Sequence, residues 1–167
     1  DSTYIGGEVK VSEIGFSPDG QLITYLAKRG EDQHASLWAI PLAGGESRRL
    51  LGFETDITDY RISPDGQRLA FVARQPACEE NKKKKEQGYS QEIFEEDWLP
   101  KKVWLASLPS FESTVVDPMA EEEKDEPEAL DLDGSIFNVR FSPDGRWLAV
   151  DVAPSPLVDD EYMLRRV

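Results

Sequence analysis

An all-β fold built from repeated four-stranded antiparallel units is predicted by three observations. One turn recurs three times, as Phe16-Ser17-Pro18-Asp19-Gly20, Ile62-Ser63-Pro64-Asp65-Gly66 and Phe141-Ser142-Pro143-Asp144-Gly145. Each copy closes one apolar-alternating run and opens another, at 21–27, 67–73 and 146–152. The first two copies stand 46 residues apart, Phe16 to Ile62, which accommodates four short strands and their turns.

Serine at the first corner, proline at the second and glycine at the fourth is the composition of a type I turn. Proline presets φ near about −65°, and the serine hydroxyl can hold the amides that follow. A glycine directly after such a turn can take positive φ and form the bulge that restores strand twist. Ser17, Pro18, Asp19 and Gly20, with Ser63, Pro64, Asp65 and Gly66 and with Ser142, Pro143, Asp144 and Gly145, are therefore structural turn residues. The three aspartates need no metal or catalytic role to explain them.

The first unit spans 9–52, with its third strand at 37–42 and its fourth at 47–51. The second spans 56–117, with an insertion at 75–100, a third strand at 103–108 and a fourth at 113–116. An acidic linker occupies 117–133. The third unit, 135–167, keeps strands at 136–141 and 146–152, and only 161–167 offers a further one. Short antiparallel strands in fours at this period predict a β-propeller fragment of about two and a half blades. Closed propellers take roughly four to eight blades. The chain is thus expected to be part of a larger propeller, with open sheet edges where it is cut.

Spacing locates the extra residues. Ala27 to Trp38 is 11 positions and Ala73 to Trp104 is 31, so 20 are inserted between the second and third strands of the second unit. Trp38 to Ile62 is 24 and Trp104 to Phe141 is 37, which places 13 more after the fourth strand. Both connections would leave from the end of the sheets opposite the Ser-Pro-Asp-Gly turns. That elaborated end is expected to meet a domain, subunit or substrate, the other reading being unstructured decoration.

At 167 residues and 39% hydrophobic content the chain can bury a core, but each repeat buries its faces against its neighbours. Cys78 is the only cysteine, so there is no internal disulfide, as in a reducing cytoplasm, with a bacterial periplasm the alternative. The net charge of −14 is largely local: residues 117–133 hold nine acidic residues against one lysine. Such density argues against nucleic acid or an anionic membrane as the main partner.

Candidate chemistry is sparse. There is no G-x-S-x-G nucleophile elbow, and a Ser/His/Asp arrangement has only His34 to draw on, in a polar loop before a strand. No catalytic residue, metal site or cofactor is expected in this chain. Asp131-Leu132-Asp133-Gly134 is shaped like the start of a calcium loop, but Phe137 and Ser142 stand where further carboxylates would be needed. Lys82 to Lys85 are flanked by Glu79, Glu80 and Glu86 without interleaved aromatics. Glu95 and Glu96, beside Asp97 and Trp98, could hold a peptide's free ammonium group, or form a surface turn in which only Trp98 packs. Trp38, Trp104 and Trp147 lie on strands and are expected to pack between units.

Three stretches taken together resemble a known repeat: Phe141 to Val150, Gln67 to Ala73, and the run Leu37-Trp38-Ala39-Ile40-Pro41-Leu42-Ala43-Gly44-Gly45-Glu46-Ser47-Arg48-Arg49-Leu50. The resemblance is to the amino-terminal propellers of prolyl oligopeptidase family serine peptidases, especially acylaminoacyl peptidases and dipeptidyl aminopeptidases, and to TolB-like propellers. It covers nearly the whole chain. Phe94-Glu95-Glu96-Asp97-Trp98 before a strand and the uneven loop lengths favour the peptidases.

The resemblance implies a following α/β-hydrolase domain that carries the Ser-Asp-His triad, with the propeller restricting access to small peptides and positioning them. No triad position maps onto this chain. In dipeptidyl peptidases a glutamate pair precedes an innermost strand, whereas Glu95 and Glu96 precede a third strand, so their role stays open. The expected partners are a carboxy-terminal hydrolase domain of the same polypeptide and peptide substrates. The alternative is a TolB-like propeller that binds a protein partner and has no enzymatic activity.

Overall fold

The computed structural model describes residues 10–30, 32–76, 99–108 and 126–167. The first turn joins β1 (Val11–Phe16) to β2 (Leu22–Ala27), and β3 (Ser36–Pro41) and β4 (Arg48–Leu51) follow. These four pair in chain order as one antiparallel sheet. The second turn joins β5 (Ile57–Ile62) to β6 (Arg68–Arg74), with β7 (Lys101–Ser107) and β8 (Glu128–Ala129) completing a second sheet in the same order. β9 (Ser135–Phe141) and β10 (Leu148–Ala153) form a third, two-stranded sheet. The architecture is an open, partial β-propeller: two four-stranded blades and the first hairpin of a third.

The three turns are superimposable in their bonding. The amides of Ser17, Ser63 and Ser142 donate to the carbonyls of Leu22, Arg68 and Trp147 at 3.0, 2.8 and 2.9 Å. The serine hydroxyl oxygens accept the amides of those same residues at 2.9, 2.9 and 3.0 Å. The hydroxyls in turn donate to Asp19, Asp65 and Asp144, whose carboxylates accept an amide two residues on at 3.1 Å in every copy. Gly20, Gly66 and Gly145 sit at φ 69°, 74° and 68°, the left-handed conformation the bulge needs.

Strand alternation gives each sheet a leading face toward the preceding blade and a trailing face toward the next. Leu69, Phe71 and Ala73 of β6 join Leu22, Leu26 and Leu37 of the first sheet in one core. Ala70 and Val72 of β6 join Val103, Ile136 and Val139 in a second core against the third sheet. The Tyr60 hydroxyl donates to Thr24 Oγ1 at 2.7 Å across the first interface. Each innermost strand is bulged, at Glu13-Ile14, Thr58 and Phe137. On β5 the bulge carries Asp59 to the trailing face, where Oδ2 accepts the Val139 amide of the third blade at 3.0 Å.

Four expectations are corrected. The fourth strand of the second blade is Glu128–Ala129, inside the stretch assigned to an acidic linker; residues 113–116 lie outside the described residues. Backbone pairing asks nothing of side-chain pattern, and Leu130 extends it by donating its amide to Val103 O at 2.9 Å. The second insertion therefore precedes β8 and leaves after Leu108, whose amide donates to Gln67 O at 2.9 Å, at the turn end of the sheet. Only the first insertion leaves from the opposite end.

Residues 161–167 do not form a third strand. Instead α1 (Val158–Met163) follows Pro154-Ser155-Pro156, where the Ser155 hydroxyl donates to Asp160 at 2.5 Å and accepts the Leu157 amide at 3.2 Å. Arg166 alone bridges back to Val152. Trp147, expected in a blade interface, is exposed. Among the described residues no helix is long and apolar enough to cross a membrane.

Candidate binding cleft between the first two blades

Between the first and second blades, at the end of the sheets opposite the turns, lies a cleft of ≈ 740 Å³. Three connections build it. The β2–β3 loop supplies Asp32, Gln33 and His34; the β4–β5 linker supplies Gly52, Phe53 and Glu54; Pro76 marks where the first insertion leaves β6. Glu126 and Pro127, entering β8, close the outer side.

The floor is aromatic. Phe53 stands edge-on to Phe71 at 5.2 Å between ring centroids and tilts against Trp104 at 4.7 Å. The Trp104 indole donates to Ala73 O at 3.4 Å, so one polar handle is satisfied while the ring faces the cleft.

The rim is polar and carries more acid than base: Asp32, Glu54 and Glu126 against Arg49 and His34. Arg49 bonds Asp32 Oδ1 at 3.1 Å, whereas Asp32 Oδ2 is buried with no partner. A buried carboxylate oxygen without a donor is costly, and a ligand N–H or ammonium would satisfy it. His34 Nδ1 lies 3.7 Å from Asp56 Oδ1, and that oxygen accepts the Ala35 amide at 2.7 Å. His34 thus lines the cleft beside a carboxylate already engaged with the backbone.

Glu95 and Glu96, the substrate-binding candidates, lie outside the described residues, as do Lys82 to Lys85 and Cys78. The structure does place the anchors of their insertion at this cleft: Gln75 donates its amide to Pro100 O at 3.2 Å, beside Pro76. The twelve turn residues are at the other end of the sheets. Near Asp131 and Asp133, the Phe137 ring carries Lys101 Nζ at 4.7 Å and Arg165 at 5.4 Å, cations where a calcium loop would need an acid. Among the described residues no three His, Cys, Asp or Glu side chains converge as metal ligands.

Asp32, Arg49 and Phe53 were not foreseen from sequence. They lie in loops or on an outer strand without periodicity, and only the docking of one blade on the next brings them together.

No protein-family model matches the chain. No curated protein matches its sequence. Among solved structures, the chain is similar to the β-propeller domain of the trilobed protease from Pyrococcus furiosus, described as an open velcro topology. The two share 16% identity over 87% of this chain and 35% of that one, at a TM-score of 0.49. It is also similar to Kuenenia stuttgartiensis hydrazine synthase, at 16% identity, 84% of this chain, 36% of that one and a TM-score of 0.47. The chain spans about a third of the length of each.

Proposed function

We propose that this chain is the non-catalytic propeller portion of a serine peptidase of the acylaminoacyl or dipeptidyl peptidase kind. In this proposal it restricts and positions peptide substrates for an α/β-hydrolase domain on the same polypeptide, in the cytoplasm. The observation that supports it is the cleft, where an aromatic floor lies beneath an acid-rich rim at the end from which the first insertion leaves. That combination suits a peptide amino terminus: the ammonium group on Asp32 Oδ2, an apolar side chain over Phe53 and Trp104. A free ammonium is the chemistry of the dipeptidyl kind.

Amide chemical-shift mapping with short peptides that begin with an apolar residue tests the cleft. Saturable shifts at Asp32, Phe53 and Trp104 are expected with a free amino terminus, weakened roughly tenfold by Asp32→Asn, the loss of one charge-assisted hydrogen bond. Preference for the acetylated peptide would favour the acylaminoacyl kind, and absence of saturable shifts with either would overturn the cleft as a peptide site. The parent reading has a separate test in the coding sequence on both sides. A nucleophile elbow followed by Asp and His supports it, whereas further blades and then a stop would replace it with a TolB-like propeller.

A further inference from the structure

The acid-rich rim of the cleft between the first two blades carries a cation at an informative place. Arg49 stands on β4, an outer strand, and bonds Asp32 Oδ1 of the β2–β3 loop at 3.1 Å. Both residues line the cleft from the first blade. The guanidinium lies against Gly52, where an added Cβ would be 3.7 Å from both Cζ and Nε, and the next residue is Phe53 of the aromatic floor.

Neither partner of this pair is used up by the other. Asp32 is the inner one, with its side chain 16% exposed and its Oδ2 without a donor. Arg49 is the outer one, with its side chain 54% exposed, and the bond to Asp32 engages one of the five N–H groups that a guanidinium carries. An acceptor and a donor fork thus stand side by side next to an apolar floor. A ligand with an ammonium alone brings its charge up to Arg49, and one with a carboxylate alone meets Asp32, Glu54 and Glu126. A ligand that bears both charges on one carbon gives each of them an opposite partner.

We propose that the cleft takes a free α-amino acid with a large apolar side chain. Its ammonium bonds Asp32 Oδ2, its carboxylate takes the open side of the Arg49 guanidinium, and its side chain covers Phe53 and Trp104. The inference rests on the ammonium site of the peptide reading and adds the carboxylate, which the first residue of a peptide lacks. Peptide hydrolysis ends in amino acids, so the cleft that positions a peptide amino terminus is also contested by the end product. Arg49 is the residue that tells the two apart.

Calorimetric titration of the full chain with L-phenylalanine, L-phenylalaninamide and N-acetyl-L-phenylalanine tests this, since the amide lacks the carboxylate charge and the acetyl derivative lacks the ammonium. L-phenylalanine should bind roughly tenfold more tightly than either, the worth of one charge-assisted hydrogen bond, and should displace a peptide that begins with phenylalanine. Arg49→Gln keeps a donor for Asp32, so it should preserve the phenylalaninamide affinity and bring L-phenylalanine down to it. A merely structural role for Arg49 would weaken both alike. Thermal unfolding matched to the unmodified chain confirms that the variant is folded. Equal binding of amino acid and amide by the unmodified chain overturns this inference and leaves the peptide reading standing, as does binding that fails to displace the peptide. An acetyl derivative as tight as the amino acid overturns it together with the ammonium site. No saturable binding by any of the three also overturns it, and titration with the peptides then decides the peptide reading separately.

Discussion

Asp19, Asp65 and Asp144 show how one side chain fixes a turn. Each is held below the usual carboxylate range, first by the serine hydroxyl two residues before it and then by the amide two residues after it. A depressed folded-state pKa adds stability above the ordinary aspartate value, ~3.9, that is lost as pH falls through the folded value. Asp65→Asn should therefore lower the urea midpoint at neutral pH, and the gap should close in acid; a gap independent of pH would contradict the assignment. Gly134 is constrained by space as well as by φ. It sits at φ 94°, and an added Cβ would lie 2.4 Å from Ala153 O. Gly134→Ala should cost roughly 2 kcal/mol or more in equilibrium unfolding.

Strands here take their roles from the bulges as much as from their apolar pattern. On a regular strand Asp59 would share a face with Ile57, but the bulge at Thr58 separates them: Ile57 packs toward the first blade, while Asp59 caps the inner edge of β9 from the trailing face. Burial pushes its carboxyl up, opposed by the Val139 amide and by Arg61, which bonds it at 2.7 Å. The sign is opposite to that of the turn aspartates: the charge is a cost at neutral pH that eases as pH falls toward the ordinary value. Asp59→Asn keeps an acceptor for Val139 and should be mild. Asp59→Leu leaves that amide unpaired and should destabilise by about 1–3 kcal/mol, measured by denaturant unfolding. Equal losses would show that Val139 does not depend on this acceptor.

At the scale of the whole molecule, the second blade is the one with neighbours on both faces, and its Leu69, Ala70, Phe71, Val72 and Ala73 are fully buried. Nearest-neighbour stacking of this kind makes the terminal blades the weaker ones. Hydrogen exchange should therefore be slowest on β6 and faster on β1 and β10; uniform protection across the three would argue against stacked units. The repeat, the three turns, the inner hairpins and the third strands of the first two blades are legible in the sequence, because proline, glycine and two-residue alternation act within a few residues of one another. The sequence misplaced the fourth strand of the second blade, since Glu128–Ala129 pairs through backbone alone and has no apolar pattern to read. The sequence reading took 161–167 as a strand, whereas the chain turns into α1 after Pro154-Ser155-Pro156, with the Ser155 hydroxyl bonded to Asp160. Packing of one blade on the next is what brings Phe53 onto Trp104 and leaves one oxygen of Asp32 buried and unpaired at a cleft. These depend on which face of one sheet meets which face of the next, and that contact joins residues far apart in the chain.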